Sequence, residues 1–260
     1  MSKKIWNLSR LYAYHYAKMA FRILLFLGAL ILYISSRIDK SALPFGEIGS
    51  HPIFWGGVWL FFLVGMFLRF FPSDFETIGC QKQFKRNYVP TEEETPSLTS
   101  WKATLLLTVL WIGLNLIFGV LYFWGVFDAG ILILISLAYS VCDIICILFF
   151  CPIRDYILKN KCCADCRIYN WDYAMIFTPL VFIPHIYTWT LLGISLILLI
   201  AWEIIYKMHP ERFAKNTNAS LMCQNCKEKP CRHKKRIAKI LKSGKEKLAK
   251  LSWWPKNKEK

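Results

Sequence analysis

Charged residues are scarce in this chain, and acidic residues are the scarcer kind. Only 19% of the 260 residues are charged, and 33 Lys and Arg residues outnumber 17 Asp and Glu residues. A disordered chain carries more charge and fewer apolar residues than the 55% found here, so general disorder is excluded. Ten cysteines over this length are also too few for a small scaffold held together by disulfides.

Recognisable catalytic motifs are absent from the sequence as well. It contains no Walker A, G-x-S-x-G or H-E-x-x-H pattern, and no internal repeat of the kind that many transporters carry. The sequence therefore leaves open whether the chain is an enzyme, and it identifies no catalytic residue.

Long apolar runs are the dominant feature that is present. A transmembrane helix needs about 20 apolar residues, because the hydrocarbon core of a bilayer is about 30 Å thick. The runs predict an all-α polytopic membrane protein with six transmembrane helices. The predicted spans cover residues 19–36, 52–71, 103–127, 130–151, 168–185 and 187–206.

The last two predicted spans share one apolar stretch, residues 173–206. As a single helix it would measure about 51 Å, which is longer than the bilayer is thick. Pro184 disfavours helical geometry in the residue before it and predicts a break there. The fifth span is short, so it either starts near Ile168, tilts little, or is re-entrant within the protein.

The distribution of basic residues predicts the orientation. With six spans, all but two of the 33 Lys and Arg residues fall on one side, and only Arg37 and Lys40 fall on the other. The basic side is cytoplasmic, so both termini are expected inside, in the plasma (cytoplasmic) membrane. The predicted organisation is a basic interfacial N-terminal segment (1–22), a transmembrane domain (23–206) and a cytoplasmic Cys-rich, basic tail (207–260).

Two cysteine clusters lie on the predicted cytoplasmic side. One is a C-C-x-x-C pattern before the fifth span, and the other is C-x-x-C-x₄-C-x-H after the sixth. Thiols clustered on the reducing side of a membrane bind metal or carry redox chemistry. Two C-x-x-C turns supply the four thiolates of a tetrahedral zinc site, and a His can replace one thiolate. The predicted ligands are Cys162, Cys163, Cys166, Cys223, Cys226, Cys231 and His233.

The spacing of the cysteines does not identify the metal. Zinc is the predicted cofactor, and an iron–sulfur cluster on four thiolates is the alternative. A thiol–disulfide pair without metal is a further alternative, and Cys80 and Cys151 offer thiols for a second site. Cys142 and Cys146 share one helix face and are interpreted as small buried apolar side chains.

Three polar residues fall within the predicted spans. Asp143 in the fourth span is expected to face the bundle interior, either in a proton or ion path or protonated and bonded to Asn115 or a Ser. Asn115 in the third span is interpreted as a hydrogen-bonding contact between helices. Glu203 near the end of the last span is expected to pair with Arg69 or Arg22.

The C-terminal tail predicts contact with anionic lipids. Apolar residues at helical spacing among many basic ones, followed by two Trp, are typical of a basic amphipathic helix at a membrane surface. Lipid is the nearest polyanion, so nucleic acid is not expected as a partner. The predicted lipid-binding residues are Lys234, Lys235, Arg236, Lys239, Lys242, Trp253 and Trp254.

Three functional hypotheses follow from these patterns. The first is an integral membrane protein whose cytoplasmic Cys-cluster metal site has a structural or docking role, with a cytoplasmic protein as partner. The alternative is a membrane redox protein or enzyme that uses an iron–sulfur cluster or reactive thiols. The third is a small transporter or channel subunit that uses Asp143.

Overall fold

A computed structural model describes residues 10–38, 52–72, 80–98, 100–158 and 166–226, together with Lys234 and Lys239. The described residues are mainly helical and include no β-strand, only an isolated bridge between Pro90 and Asn218. The α-helices are α1 (Arg10–Ile38), α2 (Pro52–Phe67), the single turn α3 (Cys80–Gln83), α4 (Trp101–Phe123), α5 (Ala129–Leu148), α6 (Asp172–Phe177) and α7 (Ile186–Met208).

Four of these helices are long and apolar enough to cross a membrane. They are the Tyr12–Ile38 part of α1 and the whole of α4, α5 and α7, and α2 is a shorter apolar helix. The prediction of an all-helical chain with helices of membrane-spanning length is thereby confirmed. The predicted boundary at residue 22 falls inside α1, so residues 10–22 are continuous with that helix.

The predicted fifth span is a helix of mixed geometry. A 3₁₀ segment (Arg167–Trp171), α6 and a second 3₁₀ segment (Thr178–Phe182) follow one another without interruption. Because a 3₁₀ helix rises about 2.0 Å per residue against 1.5 Å in an α-helix, this mixed helix extends over about 29 Å. The chain then breaks around Pro184, as predicted, and α7 begins at Ile186.

The mixed helix lies at the centre of the bundle. Its residues Tyr173, Ile176, Phe177 and Leu180 are buried and belong to one core with residues of α1, α2, α5 and α7. Irregular backbone is tolerated at membrane depth where protein surrounds it, because lipid cannot satisfy peptide groups. The packing therefore allows the mixed geometry in this segment.

Ion pairs join α1 and α5 at two levels. Arg22 lies 2.8 Å from Asp143, and Arg37 pairs with Asp128 at the start of α5. Arg37 follows Arg22 along α1, whereas its partner Asp128 precedes Asp143 along α5 by the same number of residues. The two helices therefore run antiparallel. Of the two pairs, the one at Arg22 is buried and the one at Arg37 is exposed.

Two segments outside the bundle are joined through Asn218. Its buried side-chain amide donates to the carbonyl groups of Lys82 and Arg212 at 3.2 and 2.8 Å. The backbone N–H of Ala219 donates to the carbonyl of Val89 at 2.8 Å. The stretch from α3 to residue 98 is thereby held against residues 209–226.

Candidate functional site

A pocket with four cysteines in its wall lies where α5 ends against α4 and the mixed helix. Its empty space, counted with the open mouth, is about 760 Å³. We call it the thiol pocket, after Cys142, Cys146, Cys151 and Cys166. The other lining residues are Trp111, Tyr139, Asp143, Ile147, Ile153, Arg154, Ile168, Tyr169, Asp172, Met175 and Ile176.

One face of α5 supplies the wall that carries most of the chemistry. Tyr139, Cys142, Asp143 and Cys146 follow at intervals of three, one and three residues, which places them on one side of the helix. Cys142 is exposed and Cys146 is half-buried, so the interpretation of both as buried apolar side chains is wrong for Cys142. Both residues line the pocket.

Cys151 lies three residues beyond the end of α5, at the start of a π-helical turn (Ile153–Leu158). Its sulfur accepts a hydrogen bond from the backbone N–H of Arg154 at 3.4 Å. The side chain of Cys146 lies beside the same sulfur. π-Helical turns are rare and are frequently found at functional sites.

The surroundings of Cys151 stabilise its thiolate. The hydrogen bond from Cys146 lowers the pKa of Cys151 most, and the Arg154 N–H and the positive charges of Lys234 and Arg154 add to this effect. Together they outweigh burial, which acts in the opposite direction, and the pKa falls to about 6. A thiol with this pKa is mainly ionised at neutral pH, and the thiolate is the nucleophilic form.

Both carboxylates in the pocket are held by buried arginines. Arg22 also donates to the carbonyl of Ser140 at 2.6 Å, so it binds α5 through Asp143 and through the backbone. Arg69 forms a two-pronged ion pair with Asp172, at 3.0 and 2.6 Å. The expected hydrogen bond from Asp143 to Asn115 or a Ser is wrong, because Asp143 is paired with Arg22.

Lys234 brings the C-terminal segment to this site. Its side chain is buried, and its ammonium group donates to the carbonyl of Cys146 at 2.7 Å. A cation at the carbonyl end of a helix such as α5 is stabilised by the helix dipole. A residue that binds lipid headgroups is expected to be exposed, so the buried position of Lys234 differs from that prediction.

A second thiol site lies in the segment after α7. Cys223 and Cys226 form a turn in which the N–H of Cys226 donates to the carbonyl of Cys223 at 3.4 Å. The ammonium group of Lys82 lies 3.3 Å from the Cys226 sulfur, and that of Lys215 lies 3.9 Å from the Cys223 sulfur.

The predicted metal ligands divide into three groups. Cys166 is buried against Leu107, Leu158 and Ile168 and lines the thiol pocket. Cys223 and Cys226 form the second thiol site. Among the described residues, no three His, Cys, Asp or Glu side chains form a group that could hold a metal ion. Four predicted ligands lie outside the described residues: Cys162, Cys163, Cys231 and His233.

The two other polar residues predicted within the spans have local or unexpected partners. Asn115 donates to the carbonyl of Trp111 in its own helix at 2.9 Å, so the structure does not show the predicted contact between helices. Glu203 pairs with Arg167 at 2.5 Å and accepts a hydrogen bond from the Trp171 indole at 2.7 Å. The expected pairing with Arg69 or Arg22 is wrong, because those two arginines bind Asp172 and Asp143.

Little of the predicted lipid-binding tail lies within the described part of the chain. Lys239 is exposed, in agreement with a surface position. The remaining predicted lipid ligands lie outside the described residues: Lys235, Arg236, Lys242, Trp253 and Trp254. Lipid binding by the tail therefore stays a prediction.

Comparison with known proteins gives no relative: no protein-family model, curated protein or solved structure matches this chain. The geometry of the two thiol sites is therefore the basis for proposing a function.

The sequence contains two signals of the thiol pocket that the sequence analysis did not use to predict it. Cys146 and Cys151 are five residues apart, and Pro152 marks the end of the helix between them. A thiol on the last turn and a second thiol just beyond a helix end can approach each other as the chain turns. The contribution of Arg22 and Arg69 was not visible, because their partners are remote in sequence.

Proposed function

We propose that this chain is a membrane thiol–disulfide redox protein whose working pair is Cys146 and Cys151. The observation that carries the proposal is that Cys146 and Cys151 lie beside each other in the wall of one pocket. Two neighbouring thiols need only a small movement to form a disulfide. The mainly ionised state of Cys151 supplies the nucleophile that thiol–disulfide exchange requires.

The chemistry is a two-step exchange with a substrate dithiol. In the oxidised protein, a substrate thiolate attacks the Cys146 sulfur, and Cys151 leaves as a thiolate. The second substrate thiol loses its proton and attacks the mixed disulfide, so the substrate becomes a disulfide and Cys146 takes up a proton. A low pKa makes Cys151 a good leaving group, and a stabilised thiolate makes the protein disulfide a stronger oxidant.

The test is a redox titration of the purified protein in detergent. The protein is equilibrated in glutathione buffers of graded potential, trapped with maleimide, and analysed by peptide mass spectrometry. We expect one reversible disulfide that links Cys146 to Cys151. The Cys142→Ser variant is the matched control, because it removes a thiol of the same pocket that is not in the pair, and it should titrate like the wild type.

Two outcomes would contradict this function. One is that Cys146 and Cys151 stay reduced across all buffers while exposed Cys223 reacts. The other is that the first disulfide to form joins either thiol to Cys142 or Cys166.

A metal site in the C-terminal segment is the second candidate function. The turn between Cys223 and Cys226 supports it, since such turns aim two thiolates at one ion. With Cys231 and His233 the segment would supply four ligands for zinc, or thiolates for an iron–sulfur cluster with cysteines from the other cluster. This site would have the structural or docking role predicted from the sequence.

Elemental analysis of anaerobically purified protein tests the metal site. We expect about one zinc per chain in the wild type, loss of zinc in Cys226→Ser, and retention of zinc in Cys142→Ser. Iron with acid-labile sulfide would identify the cluster instead. A metal content unaffected by Cys226→Ser would contradict the site.

The membrane arrangement that we propose has six crossings with both termini in the cytoplasm. The sequence positions of the basic residues support it, since six crossings assign all but two of the 33 Lys and Arg residues to one side of the membrane. In this arrangement α2 and the mixed helix complete the six crossings, and both thiol sites lie at or near the cytoplasmic face. The basic tail contacts anionic lipids of the same face.

A further inference from the structure

The thiol pocket opens beside a membrane-length helix. Cys142 lines the pocket and is exposed, and it lies six residues before α5 ends, which is about 9 Å along the helix. Trp111, on the opposite wall, lies ten residues into α4, or about 15 Å from its start. In the proposed membrane arrangement these two lining residues are at the depth of the lipid chains, where an apolar molecule can enter from the bilayer.

The walls of the pocket suit a flat ring. The rings of Trp111 and Tyr139 lie against each other with centroids 4.7 Å apart, and Tyr169 and Met175 are further lining residues. Apolar and aromatic walls with few polar groups are typical of sites for small molecules. The two carboxylates of the pocket, Asp143 and Asp172, are paired with Arg22 and Arg69. A ligand of this pocket therefore needs no positive charge.

One polar atom of the pocket wall has no hydrogen-bond partner. The hydroxyl oxygen of Tyr139 is buried, and within the described part of the chain nothing donates to it or accepts from it. A buried hydroxyl without a partner is costly, and a ligand that supplies an acceptor removes that cost. The ligand thus has an apolar body, a ring and an oxygen that accepts a hydrogen bond.

We infer that the thiol pocket binds a lipid-soluble quinone, which accepts a hydrogen bond from Tyr139 and oxidises the Cys146–Cys151 pair. This inference rests on the proposed function and names its electron acceptor. The Cys151 thiolate and the Cys146 thiol lose two electrons and one proton as their S–S bond forms. The quinone gains both electrons, that proton and one proton from water, and leaves as a quinol.

The test uses decylubiquinone, whose ring carbons are all substituted, so that thiols cannot add to an open ring position. Reduced protein in detergent is mixed with it anaerobically, and quinol is measured by absorbance while the disulfide is measured by mass spectrometry. We expect one quinol per Cys146–Cys151 disulfide. Binding is measured separately by equilibrium dialysis on the Cys146→Ser/Cys151→Ser variant, which cannot transfer electrons.

The Tyr139→Phe variant tests the hydrogen bond and keeps the ring. We expect the Kd for decylubiquinone to rise by about tenfold, the effect of losing one hydrogen bond, with glutathione oxidation of the pair unchanged. Tyr122→Phe is the control, because Tyr122 lies on α4 outside the pocket.

The two proposals fail in distinguishable ways. If glutathione disulfide oxidises the pair and decylubiquinone does not, the quinone site is overturned and the redox function stands. If neither oxidant produces the disulfide, both are overturned. An unchanged Kd in Tyr139→Phe overturns the assignment of Tyr139 as the donor.

Discussion

At the scale of single residues, the reactivity of Cys151 depends on a neighbour that has no charge of its own. Its pKa of about 6 is set first by the hydrogen bond from Cys146 and then by Arg154 and Lys234. A stabilised thiolate at a helix end is thus built from a second thiol, a backbone N–H and two cations. A variant without the Cys146 thiol therefore separates the largest contribution to the low pKa of Cys151 from the contributions of Arg154 and Lys234.

We predict that Cys146→Ala raises the pKa of Cys151. Below neutral pH the wild-type thiolate fraction rises through pH 6 and then levels off, whereas the variant reaches its plateau only at higher pH. The rate of Cys151 alkylation by iodoacetamide at pH 6.5 should fall by about threefold for the first unit of increase in the pKa, and by roughly tenfold for each further unit. Peptide mass spectrometry across pH measures the midpoint.

The matched control for this change is Cys142→Ala, which removes a thiol that does not bond Cys151. It should leave the midpoint at about 6. Equal midpoints in Cys146→Ala and the wild type would show that Arg154 and Lys234 alone lower the pKa of Cys151. They would contradict a contribution from Cys146.

At the scale of elements, α1 and α5 are joined by one buried and one exposed ion pair. Arg22 is 1% exposed, and its partner Asp143 is 17% exposed. Breaking a buried pair by neutralising one partner leaves an uncompensated charge in the interior, which costs far more than the loss of an exposed pair.

We predict that Asp143→Asn lowers the free energy of unfolding by about 3 kcal/mol, measured by denaturation in detergent. Asp128→Asn is the control, because it breaks the exposed pair while Asn still caps α5, and its effect should be much smaller. Arg22→Met combined with Asp143→Leu should recover most of the loss. A similar loss in the two single variants would contradict the burial of the Arg22 pair.

The packing of α4 on the mixed helix provides a second test at this scale. A Cβ atom at Gly119 would overlap the ring of Phe182, whereas a Cβ at Gly113 in the same helix meets nothing within 4 Å. Gly119→Ala should therefore destabilise the protein by about 1–3 kcal/mol, and Gly113→Ala should be neutral or slightly stabilising. Thermal unfolding of both variants measures this, and equal effects would mean that Phe182 does not pack there.

The sequence predicted which segments form helices better than it predicted which face of each helix lines the pocket or the core. Apolar length identified the four long helices, and Pro184 identified the break before α7, because both depend on local properties of the chain. The 3₁₀ segments at either end of α6 were not predicted, since a fully buried segment is apolar in either geometry. Helices that are apolar on all sides, such as α5, give no periodicity that places Cys142 towards a pocket.

At the scale of the whole molecule, ion-pair partners and the thiol pocket depend on how distant segments meet. Arg22 pairs with Asp143, Arg69 with Asp172 and Arg167 with Glu203, and these pairings follow from the packing of the bundle. The clustering of cysteines was visible in the sequence. The separation of Cys166 into the thiol pocket and of Cys223 and Cys226 into a second site required the structure.

The proposed orientation is tested with a membrane-impermeant maleimide. Val126→Cys places a thiol at an exposed position between α4 and α5, at the end opposite to Cys223. In intact cells we expect labelling of Val126→Cys and none of the wild type, because the proposed arrangement assigns every native thiol to the cytoplasmic side or to the bundle. In inverted vesicles Cys223 should be labelled, and labelling of wild-type chains in intact cells would reverse the orientation.

The distance along the chain between Arg22 and Asp143 has a consequence for biosynthesis. The two residues are 121 positions apart, so α1 leaves the ribosome long before α5 exists. Until α5 arrives, Arg22 lacks the carboxylate that it pairs with in the bundle, and an unpaired charge on a membrane helix is costly, so we expect the first helix to stay at the translocon or beside a chaperone. A nascent chain stopped before α5 would be retained there or degraded, and completion of the chain releases the first helix into the bilayer.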